Sequence, residues 1–248
     1  MLCRSLGGAQ AVAAMAFGTE SIDPVLKIVG PGNAYVTAAK EMLRGIVEID
    51  FPAGPSEIGI IADGTAVPEY VAADVLAQAE HDPSAAAVLV TDDPDLPGKV
   101  GVEIEAMLKT QKRKKIIEAA LGNSGYIVVD SIEEAAAVMD GMAPEHLSIQ
   151  TADPMSTLSL VRNAGSIFLG PFTPVAAGDY ASGTNHVLPT AGNAAVHSGL
   201  TVSHFMKSST VQLIDRDGLE DLAPTIEAIS SSEGLSAHGD SVRVRLRD

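Results

Sequence analysis

Tryptophan is absent from the 248-residue sequence, cysteine occurs once, and aromatic residues make up only 4%. The lone Cys3 excludes an intramolecular disulfide framework. It also excludes thiolate zinc motifs, which need two to four sulfurs at short spacing. A reducing, cytoplasmic location is the matching expectation. Positive charge is scarce too: 16 Lys and Arg face 32 Asp and Glu, a formal charge of −16. That balance repels phosphate backbones and anionic lipid, so neither nucleic acid nor a membrane surface is expected as a partner. No stretch approaches the roughly 18 consecutive apolar residues of a transmembrane helix. Near the start, Arg4 followed by Ala9–Phe17 imitates a secretory leader. Gln10 interrupts the apolar run, Gly7-Gly8 break it early, and a single positive charge is too few, so export is not expected.

What is present is globular: 46% of the residues are hydrophobic, and the length suffices for one large domain or two small ones with a real core. From Val25 onward, short β-rich runs alternate with helix-period segments, the pattern of parallel strands joined by crossover helices, and an α/β fold follows. Strands are predicted at Leu26–Val29, Ile46–Asp50, Glu57–Ala62, Ala86–Thr91, Tyr126–Val129, Leu147–Gln150 and Ser166–Leu169. Helices are predicted at Ala9–Phe17, Ala34–Leu43, Val67–Ala79, Leu96–Leu121, Ile132–Met139 and Met155–Asn163. After Gly170 comes a long irregular segment, Pro171–Thr201, rich in Gly, Pro and Asn, and such segments in compact domains are commonly functional. A strand at Thr210–Leu213, a helix at Leu219–Ser230 and a closing β-like run at Ser241–Leu246 complete the reading.

Groups able to do chemistry are concentrated in four places. Gln78 and His81 stand three residues apart at a helix end, so an amide oxygen and an imidazole can share one face and converge on one ion. A lone His in that position more often caps the last carbonyls, and completion of a metal site requires donors from far along the chain, such as Asp179 and His238. Glu145-His146 lies between a helix and a strand, where the ligand crevice of an open parallel sheet is expected. A neutral imidazole there could accept a proton, and the adjacent carboxylate could activate water; an ordinary polar turn is the competing reading. The remaining two clusters run from Gly178-Asp179-Tyr180 to Asn185-His186, and from Glu233 to His238.

Two loops precede regular elements. Gly30-Pro31-Gly32-Asn33 opens a helix, where free N–H groups suit a phosphate or carboxylate, but it is not G-x-G-x-x-G and the proline removes one donor. Pro52-Ala53-Gly54-Pro55-Ser56-Glu57 leads into a strand. By pattern alone either loop reads more readily as a structural turn than as a ligand cradle.

Taken together, these clusters resemble the histidinol dehydrogenase family, zinc-dependent and NAD-linked enzymes of histidine biosynthesis. The resemblance rests on Gly7-Gly8-Ala9-Gln10-Ala11, the Gly30–Asn33 and Pro52–Glu57 loops, Gln78-Ala79-Glu80-His81, Pro144-Glu145-His146-Leu147, the run from Gly178 to Thr190, and Ala237-His238. These occur in the family's order along essentially the whole chain. The resemblance implies Gln78, His81, Asp179 and His238 as zinc ligands, and Glu145 and His146 as the proton-transfer pair. It implies Ser56 and Glu233 as further substrate contacts beside Gln78, His81, His146, Asp179 and His238. Gln10 and Asn33 are the implied NAD contacts, with Tyr180 and His186 ranked below all of these.

The implied reaction is oxidation of L-histidinol to L-histidine through the aldehyde, with two NAD molecules taking two hydrides. The implied fold is a set of incomplete Rossmann-like parallel sheets with a small C-terminal helical extension, because family members are longer and this chain resembles about their C-terminal three-fifths. Residues 1–55 correspond to a remnant of a cofactor-side domain, 56–200 to the main sheet domain, and 201–248 to the extension. In the family that extension crosses to the second subunit, so a homodimer with shared sites is implied. Two alternatives stand beside the dehydrogenase: a noncatalytic fragment that binds zinc and substrate, and a zinc hydrolase in which Glu145 activates water.

Overall fold

The structure, a computed structural model, describes residues 7–247, so Cys3 and Arg4, on which the compartment and leader readings draw, lie outside the described residues. The chain divides into two compact units, Met1–Phe205 and Met206–Asp248.

The first unit carries both sheets. Helix α1 (Ala9–Phe17), strand β1 (Lys27–Ile28), helix α2 (Ala34–Leu43) and strand β2 (Glu48–Ile49) form a small parallel βαβ body around Val12, Ile28, Val47 and Ile49. Inside it lies an ion pair between Lys40 and Asp50, whose side chains are 3% and 0% exposed. Lys40 Nζ also donates to the carbonyls of Gly30 at 3.0 Å and Phe51 at 3.3 Å, while Asp50 Oδ2 accepts from the Gly30 N–H at 2.7 Å. This pair therefore fixes the Gly30–Asn33 loop from beneath.

The larger sheet is parallel throughout, in the order β5-β4-β3-β6-β7. Its strands are β3 (Glu57–Ala62), β4 (Ala86–Thr91), β5 (Gly125–Val128), β6 (His146–Gln150) and β7 (Ser166–Leu169). Strands β3 and β4 read as nearly continuous apolar runs because helices cover both faces. On one face α3 (Pro68–Ala79), α4 (Leu96–Leu108) and α8 (Val175–Tyr180) enclose Ile58, Ile60, Leu89 and Phe168. On the other, α6 (Ile132–Met142) meets Ile61, Val90, Leu147 and Ile149. Each fully buried aliphatic side chain contributes about 1.5–3 kcal/mol, so these two clusters carry the unit. At one edge β5 pairs, among the described residues, only with β4, and all four of its residues are exposed.

Seven of the eight predicted strands form, with shifts of one or two residues at some ends. The predicted helix Leu96–Leu121 is instead two, α4 and α5 (Lys114–Leu121). Thr110 Oγ1 donates to the Met107 carbonyl at 3.0 Å, and the four consecutive cations Lys112 to Lys115 would repel one another within a continuous helix. Similarly, Met155–Asn163 shortens to α7 (Pro154–Leu158), capped by Asp153 accepting from Ser156 N–H at 3.1 Å. The irregular stretch after Gly170 contains α8 and a single 3-10 turn at Asn193–Ala195.

The second unit overturns two predictions. Thr210–Leu213 forms no strand, and of Ser241–Leu246 the first three residues end α10 (Ser236–Arg243), which packs on α9 (Arg216–Ser232), while the last three form a turn. The alternation Val242-Arg243-Val244-Arg245-Leu246 reads as a strand, but only Val242 of these five is buried. Among the described residues of this unit only Ser230, Gly239 and Val242 are buried, while Val211 and Leu213 are 92% and 99% exposed. No described helix is long and apolar enough to cross a membrane.

Candidate active site

The short link from β2 to β3 decides where a ligand can enter. Only seven residues, 50–56, separate the two strands, so the small βαβ body is tethered at the amino end of β3. Thr37 Oγ1 donates to the Ala53 carbonyl at 2.6 Å, and the Gly54 N–H donates to the Thr190 hydroxyl, which ties the link to α2 and to the irregular segment after α8. A cavity of about 590 Å³ opens there, lined by Asn33, Thr37, Gly54, Ser56 and Asp82 among others. Open parallel sheets usually bind ligands beyond the carboxyl ends of their strands. Here the address is the opposite one: Ser56 immediately precedes β3, and His146 is the first residue of β6.

Gln78, buried in the last turn of α3, donates from Nε2 to Ser56 Oγ at 2.6 Å, and Ser56 Oγ donates to Glu145 Oε2 at 2.5 Å. The Glu57 N–H reaches the same carboxylate oxygen at 3.1 Å. A serine hydroxyl has one proton to give, so its donation to Glu145 and acceptance from Gln78 fit its hydrogen-bonding capacity. It also leaves the Gln78 carbonyl oxygen uncommitted to Ser56.

Glu145 is brought here by a tight turn. Helix α6 ends at Ala143 in the left-handed region, φ 47°, and the chain passes through Pro144 into Glu145. An alanine in that region costs about 1–2 kcal/mol, tolerated because the residue is buried and its N–H still bonds the Met139 carbonyl at 2.8 Å. Gly165 passes close behind: a Cβ there would lie 2.6 Å from the Glu145 carbonyl oxygen. Gly165→Ala is therefore expected to destabilise by about 1–3 kcal/mol and to pull Glu145 from Ser56, measurable by chemical denaturation and by the backbone amide shifts of Ser166 and Glu57.

Burial dominates the electrostatics. It pushes the Glu145 carboxyl up to about 7, against the lowering effect of its bonds to Ser56 and the Glu57 N–H. Glu57, which accepts from the Ala191 N–H at 2.9 Å, is raised for the same reason. His146 is 4% exposed, and burial lowers its pKa, so its ring is neutral near pH 7. Its Nδ1 lies 3.8 Å from Glu145 Oε2 and its Nε2 lies 3.8 Å from Asp179 Oδ1. Both ring nitrogens are buried without a hydrogen-bond partner among the described residues. Phe168 holds the ring from the side, centroids 5.9 Å apart, and Gly178 makes room for Phe168, since a Cβ there would come within 2.6 Å of it.

The raised Glu145 pKa has a stability consequence. The folded chain holds this proton more tightly than the unfolded chain, so its contribution is fully present below about 4.5 and is lost as pH rises through about 7. The difference in unfolding free energy between the unaltered metal-free chain and Glu145→Gln is expected to change by on the order of 3 kcal/mol across that window, the glutamine variant being favoured at high pH. Denaturant titrations of both chains at several pH values measure it.

Ser56, Gln78, Glu145, His146 and Asp179 thus come together. His81 is exposed just beyond α3, its carbonyl accepting from Arg113 Nη2 at 3.3 Å. Tyr180, the last residue of α8, and His186, in the loop that follows, are both exposed. Asn33 caps α2, its Oδ1 accepting from Tyr35 and Val36 N–H at 3.1 and 3.2 Å, so only its amide nitrogen is left to face the cavity. Gln10 is exposed in the first turn of α1. Glu233 and His238 are exposed in the second unit, the first following α9 and the second on α10. Among the described residues no three His, Cys, Asp or Glu side chains gather as a formed metal centre. The donor types nevertheless suit zinc: an imidazole, a carboxylate and an amide oxygen in the first unit, with a further imidazole in the second. Two acids escaped the sequence reading. Glu57 closes the Pro52–Glu57 motif but has no role assigned there, and Asp74 gives no signal in the sequence beyond an ordinary mid-helix carboxylate.

Residues 3–246 match the family described as histidinol dehydrogenase. The histidinol dehydrogenase of Methanothermobacter thermautotrophicus is 57% identical over 244 residues, covering 98% of this chain and 57% of that protein. That of Haloarcula marismortui is 53% identical, covering 97% of this chain and 58% of that protein. The crystal structure of histidinol dehydrogenase from Elizabethkingia anophelis superposes with a TM-score of 0.93 at 46% identity, over 97% of this chain and 56% of the other. The chain therefore spans somewhat less than three-fifths of the length of these relatives.

Proposed function

The chain belongs to the histidinol dehydrogenase family, and from that premise we propose that it is the zinc- and substrate-binding part of an oxidoreductase that converts L-histidinol to L-histidine through the aldehyde. The observation that carries the reading is the Gln78–Ser56–Glu145 relay with a neutral, unpartnered His146 beside it. Gln78, His81, Asp179 and His238 would hold the zinc, and Gln10 and Asn33 would face NAD. When bound, zinc supplies a fixed positive centre for the substrate's nitrogens, and NAD accepts hydride.

The chain's own residues do the rest. His146 Nε2 takes the hydroxyl proton of the alcohol in the first oxidation, and its buried neutral ring is suited to that task. Glu145, with a pKa near neutrality, takes a proton from the water that adds to the aldehyde before the second. Ser56 fixes the orientation of that carboxylate, and Glu233 completes the substrate contacts. Sparse burial in the Met206–Asp248 unit, with Val211 and Leu213 almost fully exposed, supports its docking on a second copy in a homodimer. The three-part division at residues 55 and 200 and a cytoplasmic location belong to the same proposal.

The test is NADH formation by the purified chain supplied with zinc, L-histidinol and NAD, alongside metal analysis and mass determination. Two NADH per histidinol is the expected result for a working dehydrogenase. Zinc bound without NADH would favour the noncatalytic fragment. Neither zinc nor NADH would overturn the proposal.

A further inference from the structure

Asp74 is a buried acid that the proposed chemistry leaves unused. It stands on α3 one turn before Gln78 and is 5% exposed. Every residue of β6 is buried, so strand alternation places His146, Ser148 and Gln150 on the face covered by α3 and α8, and Leu147 and Ile149 on the other. Three buried polar side chains in a row are costly unless each finds a partner. Ser148 Oγ donates to Asp74 Oδ2 at 3.3 Å and accepts from Gln150 Nε2 at 3.0 Å. Val175, the first residue of α8, packs against α3 with its N–H close enough to favour the Asp74 carboxylate, and Asp179 follows one turn later. A single carboxyl group therefore joins the three elements that bear Gln78, His146 and Asp179.

Resting on the zinc-and-base reading above, we propose that Asp74 is a positioning residue, whose contacts with Ser148 and Val175 set the spacing of Gln78, His146 and Asp179 and so the site's hold on zinc. The same face without this strut would still be covered by α3 and α8, but their register against β6 would rest on apolar packing, which is tolerant of small shifts. A hydrogen-bonded carboxyl is directional and is not.

Zinc affinity of the 248-residue chain, measured by competition with a chromophoric chelator, tests this. Asp74→Ala is expected to weaken binding about 10–100-fold, as loss of a group that orients metal ligands does. Asp74→Asn keeps an acceptor oxygen and is expected to recover most of it. Ile61→Val loosens the opposite face and is expected to leave affinity unchanged. Thermal midpoints accompany each variant: a lowered midpoint with unaltered zinc affinity in Asp74→Ala would show the carboxyl to be a fold support only and would overturn the proposal. Should that variant not fold, Ser148→Ala carries the test, with a loss of about tenfold expected and no loss overturning it. If zinc binding is abolished by His81→Ala but untouched by Asp74→Ala, the positioning role fails while the metal reading stands. If the unaltered chain binds no zinc, or binds it as well without His81, the metal reading fails and the proposal with it.

Discussion

Glu145→Gln is expected to cut the yield of NADH from two per histidinol toward one, and to lower the overall conversion to histidine by about 10²–10⁴-fold. In the proposed mechanism the first oxidation needs a base at the alcohol, a role assigned to His146, and the substitution leaves that ring and its apolar wall of Phe168 in place. The second needs a proton taken from water, which a glutamine amide cannot do. Its Oε1 can still accept from Ser56 Oγ and the Glu57 N–H, so the relay geometry survives while the chemistry is lost. Product analysis by chromatography, with aldehyde accumulating in place of histidine, is the decisive measurement. Equal loss of both oxidations would instead place the two steps on one shared base.

Lys40→Met is expected to destabilise the small βαβ body by about 3–5 kcal/mol, because it leaves Asp50 buried without its cation. The carboxylate would keep one bond, from the Gly30 N–H, and lose its charge partner, while the carbonyls of Gly30 and Phe51 would each lose a donor. Replacing both members, Lys40→Met with Asp50→Leu, is expected to restore most of the loss, since no unpaired charge then remains. Hydrogen exchange at the amides of Ile28 and Ile49 localises the effect, and denaturant unfolding gives its size. In the proposed reading, where the Gly30–Asn33 loop faces NAD, the single variant is also expected to loosen that loop and so to weaken NAD binding more than zinc binding.

The alternation of the larger sheet was legible because its strands are short, apolar and bounded by Gly, Pro or Asp, and because helices on both faces make strand and core coincide. Val242 to Leu246 misled for a related reason: a two-residue period is visible in sequence, but whether a strand edge exists to receive it is not. At the site, Glu145-His146 and Gln78-x-x-His81 are local patterns and could be read directly. Ser56 could be named only through the family resemblance, since its partners lie 22 and 89 residues away. The face on which the cleft opens was misjudged because a general rule about carboxyl ends gives way here to the seven-residue link between β2 and β3. Asp74 was invisible, since nothing in a helix sequence distinguishes an acid facing water from one facing Ser148.

Strand β5 carries a cost in handling the chain. Its outer edge offers free N–H and C=O groups beside Tyr126, Ile127 and Val128, which are 64%, 43% and 44% exposed, with no lysine or proline in the strand to discourage a visitor. Two copies meeting edge to edge can extend one sheet into the next, and aggregation by strand addition then competes with productive assembly as concentration rises. Ile127→Lys is expected to raise the concentration at which light scattering appears without shifting the thermal midpoint. The same unprotected edge is where a covering segment or a chaperone would have most to gain during folding.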